Sequence, residues 1–174
     1  MIEIMIVVSI LGVLAALAAP SFKPTIEKWR VRDAAEALQS TIFYARSEAI
    51  KRGGNVTILK TSSGNGCTAA DAATQWGCGW TVFADDNNNG ALDATESTLK
   101  IIAPPLRVEI DVAASSGFIT LDRWGQLRSN SSSSFDFRLM PQGTSRTHTG
   151  ATAICISLGG RVNRLGNGDA ACPA

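Results

Sequence analysis

Residues 4–19 read IMIVVSILGVLAALAA, sixteen positions without a charge, and one carboxylate, Glu3, stands at their head. No other feature of the chain restricts its fold so strongly. With Met1, Ile2 and the stretch to Phe22, the run approaches the roughly 20 apolar residues that cross a bilayer as a helix. The ordinary alternative is a secretory signal peptide, which has a shorter apolar core behind a basic start. Here no Lys or Arg precedes the run. A carboxylate at the edge of lipid is costly unless paired, which makes Glu3 a functional candidate. Its natural partner is the free N-terminal amine of a neighbouring subunit, which would neutralise it and set a stacking register.

Beyond Phe22 the helical period continues, but one face turns polar. Trp29, Ala34, Leu38, Ile42, Ala45 and Ile50 recur among Glu27, Arg30, Asp33, Glu36, Arg46 and Lys51. Pro20 and Pro24 are expected to kink or locally unwind this helix, and Gly53-Gly54 to stop it. A single helix of that extent far exceeds the average of about 11–12 residues. Its first half has no water-facing side and its second half has one. That suits a rod held in lipid before assembly and in a bundle of like helices afterwards.

After Gly54 the period changes to that of short strands: 55–60, 80–84, 99–102, 107–112, 118–121, 135–140 and 152–157. Turn-rich stretches at 62–66, 86–90, 129–134 and 166–169 separate them. A long helix followed by antiparallel strands predicts an α+β fold, with the sheet packed on the helix's amphipathic half. The division expected is 1–24 as a transmembrane and filament-core helix, 25–53 as its amphipathic half, and 54–174 as a β-rich head. The 16 basic and 15 acidic residues nearly cancel, so any contact with nucleic acid must come from a local patch. Cys67, Cys78, Cys155 and Cys172 fall in two pairs close along the chain. They suit two disulfides in an oxidising compartment better than zinc, since neither pair is CxxC and His148 is the only histidine.

MIEIMIVVSILGVLAALAAPSF resembles the mature N-terminus of type IV pilins and type II secretion pseudopilins, with Glu3 and Pro20 at the two marker positions. The family's basic leader ending in glycine does not precede Met1, so Met1 is expected to fall inside the usual motif. YARSEAIKRGGNVTI and WGCGWTVFADDNNNGALDATE are similar to the GspH/FimT branch. The resemblance implies a minor pilin in the bacterial inner membrane, single-pass with a periplasmic head. Such a subunit joins other pilins and minor pilins through its helix, at the tip or in priming a cell-surface type IV pilus. N-terminal methylation and DNA uptake are further family traits. The alternative it implies is a pseudopilin of a type II secretion system, in a periplasmic pseudopilus and without DNA binding.

Two segments carry candidate chemistry. DDNNNGALDATE satisfies a calcium-loop pattern through Asp85, Asn87, Asn89, Asp93 and Glu96, with Gly90 for the turn. Since a strand enters it, it is not an EF-hand, and hairpin-turn chemistry accounts for the same residues without a cofactor. The segment closed by Cys155 and Cys172 carries Arg161 and Arg164, which Arg146 and His148 could extend. Arginine suits bidentate phosphate contact, and FimT-like minor pilins associate a Gly-Arg-x-Arg element with DNA capture. Here Gly160-Arg161-Val162-Asn163-Arg164 has one residue more, which in an extended segment turns the two arginines to opposite faces unless a turn intervenes. Two solvated arginines on a hairpin are the plainer reading. Trp76 and Trp80 bracket Cys78 and are expected in the core. No GxSxG, HExxH or phosphate-binding glycine loop is present, so neither an enzyme nor a small-molecule substrate is expected.

Overall fold

The computed structural model describes residues 2–63, 67, 70, 72–113, 115–128 and 134–173, with the side chains of 15–21 outside that description. The turns expected at 62–66 and 129–134 therefore lie largely outside the described residues.

Helix α1 runs from Ile2 to Arg52. It continues past Pro20 and Pro24 without the expected local unwinding, since each proline removes a single backbone donor and the flanking turns persist. Gly53 and Gly54 end it at φ of 82° and 114°, where a side chain would be strained, and the Gly54 N–H closes on the Ala49 carbonyl at 2.7 Å. Lys51 and Arg52 in the last turn complement the helix dipole.

The buried stripe of α1 is Val31, Ala34, Ala35, Leu38, Ile42, Ala45 and Ala49. Trp29 and Ile50, expected on this face, are instead 64% and 57% exposed. At 100° per residue they point about 180° and about 120° away from Leu38. The small residues let strands approach the helix closely, and Leu38 and Ile42 fill the space between them.

Among the described residues nine strands follow: β1 (Val56–Lys60), β2 (Trp80–Ala84), β3 (Thr98–Ile102), β4 (Val108–Val112), β5 (Phe118–Leu121), β6 (Leu127–Arg128), β7 (Ser134–Pro141), β8 (Thr152–Ser157) and β9 (Val162–Leu165). They form two antiparallel sheets where one was expected, in the orders β3-β2-β1-β5-β6 and β4-β7-β8-β9. The chain changes sheet at Ala103–Arg107, where two prolines deny the ladder its donors. Strands β1 and β5 of the first sheet and β4, β7 and β8 of the second pack on α1.

Trp76 and Trp80 are fully buried, as expected. Trp76 meets Phe137 edge to face at 5.5 Å and donates its indole N–H to Ser115 Oγ at 3.1 Å. Trp80 donates to Thr41 Oγ1 on α1 at 3.2 Å, so each indole keeps a polar partner while its ring fills the core. The disulfides are Cys67–Cys78 and Cys155–Cys172, with Cα atoms 5.4 and 5.5 Å apart.

Among the described residues no helix is long and apolar enough to cross a membrane. The run expected to do so is described with its side chains only to Leu14, because residues 15–21 fall inside it.

Candidate assembly helix and C-terminal segment

From Ile2 to Leu14 the large apolar side chains of α1 are each more than half exposed, in contrast to the buried stripe that begins at Val31. Glu3 lies in the first turn, where a carboxylate also suits the helix dipole. An apolar surface that surrounds the helix on every side has no counterpart within the chain and requires an external one. Pro20 falls within the helix, among residues 15–21 whose side chains lie outside the description.

At the other end of the chain, residues 166–173 fold back over the outer face of the second sheet. Cys155 holds this tail through Cys172, and Arg138 on β7 donates to the carbonyls of Gly168 (2.9 Å) and Ala170. Asp136 flanks Arg138 at 3.6 Å. Strand alternation predicts this pair: Asp136 and Arg138 occupy the polar positions of FDFRLM and lie opposite Cys155 and Ala153 in register. Asp136, Cys155 and Cys172 approach as three metal-ligand types would, but both sulfurs are committed to the disulfide.

The three candidate arginines do not converge. Val162–Leu165 is a strand, so no turn separates Arg161 from Arg164. Arg164 lies opposite Ile154, on the face turned towards α1, and reaches Glu36 at 3.8 Å. Arg161 precedes the strand in the β8–β9 turn and alternates to the other face, exposed. Arg146 pairs with Asp111 at 3.6 Å in the loop before β8, and the length of β8, about 20 Å, separates it from Arg161. His148 faces Glu27 at 3.9 Å. Arg46 was legible only as part of a motif; here its guanidinium donates to the Gly160 carbonyl at 2.7 Å and ties the β8–β9 turn to the helix.

Glu36 accepts from Arg32 at 2.8 Å, and this hydrogen bond holds its carboxyl below the ordinary carboxylate value, with the Arg32 and Arg164 charges adding to it. Glu48 is lowered in the same sense, first by its hydrogen bond to Arg52.

The acidic loop closes on itself. Asp85 is fully buried, and its carboxylate accepts from Thr57 Oγ1 (2.8 Å), the Asn89 N–H (3.0 Å) and the Gly90 N–H (3.0 Å). The amides of Asn87 and Asn89 both donate to Asp93, at 2.8 and 3.0 Å. Glu96 accepts the Asp86 and Asp93 N–H groups at 3.0 Å each. Asp85, Asn87, Asn89, Asp93 and Glu96 thus lie in one loop, with their side chains engaged in its own hydrogen bonds.

Among the described residues, one helix, apolar and exposed from Ile2 to Leu14, carries a head of antiparallel sheets, which is the build of a pilin-type subunit. The chain belongs to the family described as type II transport protein GspH, which residues 34–160 match. This is a type IV pilin-like family of structural subunits, both minor pilins and pseudopilins. Two crystal structures of the type IV minor pilin FimU from Pseudomonas aeruginosa are similar in fold. The P21 form has a TM-score of 0.58 and 18% identity, covering 76% of this chain and 86% of that one. The P65 form has a TM-score of 0.57 and 19% identity, covering 76% and 90%. No curated protein matches the sequence significantly.

Proposed function

We propose that this protein is a minor pilin. It is held in the bacterial inner membrane by the first half of α1, with its head in the periplasm, and then joins a type IV pilus by packing that same half among the helices of other pilins. One observation carries the reading: an apolar helical surface, exposed on every side from Ile2 to Leu14, begins at Glu3. In lipid the surface is solvated by acyl chains, and in a filament by like helices. In the filament Glu3 needs a counter-charge, and a neighbouring N-terminal amine supplies one. The fold shared with a minor pilin supports the pilus over other polymers.

The family's description as a type II transport protein favours a second reading, a pseudopilin of a secretion system. Shearing cells that carry a tagged chain separates the two: the tag appears in the surface-filament fraction in the first case and remains with the cell envelope in the second. DNA capture is not part of the proposal. Arg164 and Arg146 face acids, leaving Arg161 beside Arg46, whose guanidinium is engaged by the Gly160 carbonyl, and two cations give little affinity for a polyanion at physiological salt. The full chain in detergent is expected to leave a DNA fragment unshifted in an electrophoretic assay, and a shift lost with Arg161→Ala would restore capture to the account.

A further inference from the structure

A basic cleft lies where α1 leaves its apolar run and meets the base of the head. Lys23, Ile26 and Arg30 on the helix face Arg107 and Gln142 from the head across a space of about 540 Å³. None of Lys23, Arg30 and Arg107 has an acid within ion-pair distance among the described residues, and the one carboxylate in the lining, Glu27, faces His148. The head contributes through strain: Arg107 takes a φ of 55°, uncommon for a residue with a side chain. Its carbonyl accepts the Gln142 N–H at 3.0 Å, which fixes that conformation. Beside it Leu106 is 68% exposed, and Phe22, Ile26 and Trp29 add apolar surface from the helix.

Cations interleaved with exposed apolar and aromatic side chains, next to a bilayer-length apolar run, match the chemistry of a lipid interface. Distance along the helix agrees. Lys23 lies about 6 Å and Arg30 about 16 Å beyond Ala19, at 1.5 Å per residue. A headgroup layer is about 5–8 Å deep on each side of the hydrocarbon, and a surface potential extends about one Debye length, ~8 Å, further. We infer that this cleft docks the base of the head onto the phosphate headgroups of anionic phospholipids, holding the subunit at a fixed height and orientation before it enters a filament. The inference rests on the membrane-anchored reading above.

The test is hydrogen exchange on the full chain reconstituted into vesicles of phosphatidylcholine alone or mixed with phosphatidylglycerol, with carbonate extraction read in parallel. Amides at 106–108 and 142–143 are expected to exchange at least about tenfold more slowly in the anionic vesicles at low salt, given a contribution of order 1 kcal/mol per cation near such a surface. High salt, or Lys23→Ser, Arg30→Ser and Arg107→Ser together, should return them to the phosphatidylcholine rate while the chain stays carbonate-resistant. Equal exchange in both lipids with the chain still inserted overturns the docking inference and leaves the anchor standing. Failure to insert into either vesicle overturns both. Equal protection by inorganic phosphate added to phosphatidylcholine vesicles also overturns it, because the cleft would then take a free anion and not a membrane surface.

Discussion

Asp85 and Gly160 show how single positions in this head are held by geometry that no substitution reproduces. The Asp85 carboxylate reaches both β1, through Thr57, and the two turn amides that reverse the chain after β2. Asp85→Ala leaves three donors without that acceptor and is expected to cost about 3 kcal/mol, measured by urea denaturation of the full chain in detergent. Because the loop's oxygens already serve its own amides, added Ca²⁺ is expected to leave the melting temperature unchanged. A rise that scales with Ca²⁺ concentration would reassign the loop as a cation site. At Gly160 the φ is 80° and an added Cβ would lie 2.5 Å from the Arg46 guanidinium. Gly160→Ala should therefore destabilise by about 1–2 kcal/mol. Arg46→Ala in the same chain relieves the clash but leaves the strain and removes the hydrogen bond to the Gly160 carbonyl, so the double variant is predicted to stay less stable than the parent in the same urea titration.

Elements differ in how far their sequences announce them. The seven strands expected from alternation all exist, within one or two residues of their expected ends, because their runs of β-branched and aromatic residues are long enough to show the period. Strands β6 and β9 were missed for a physical reason: LR and VNRL are too short and too polar to alternate visibly, and each is a strand only because a neighbour offers a ladder. The strand identity of β9 in turn decides the fate of Arg161 and Arg164, so the arginine cluster suggested by linear proximity does not form. Arg138 was hidden as well, since its partners are carbonyls about thirty residues away that no local pattern reveals. Two measurements probe this region. Cys155→Ser with Cys172→Ser frees the tail and is expected to cost about 3 kcal/mol for a loop of this length. The Glu36 carboxyl, lowered first by its hydrogen bond from Arg32 and to a smaller degree by the Arg164 charge, keeps both contacts above the ordinary value of 4.5 and loses them as pH falls through the lower folded value. Amide exchange at 163–165 should accordingly be flat with pH-corrected rate from neutrality down to about 4.5, and rise only below it.

The whole molecule divides at about Val31 into two surfaces with opposite needs. Towards the C-terminus, α1 buries a stripe of small and branched residues under two sheets, and the head buries Trp76 and Trp80 and secures its tail. From Ile2 to Leu14 the same helix offers lipid-like surface on every side and one carboxylate near its tip, while Lys23, Glu27, Lys28 and Arg30 line the stretch before Val31. The unbroken course of α1 past its prolines makes the two halves one rod, so that whatever grips the first half positions the head. The apolar run was plain from the sequence because it needs no tertiary context. What surrounds it was not, since burial against copies of other chains leaves no mark on a single chain beyond the absence of a polar face. A photo-crosslinker placed at Val8 of the full chain reports that surrounding directly. The account predicts adducts to phospholipid in unassembled membranes and to the helices of other pilins in the filament fraction, with the second set lost in Glu3→Ala while the first persists. A chain that stays monomeric in detergent-free buffer and gives neither adduct would contradict it.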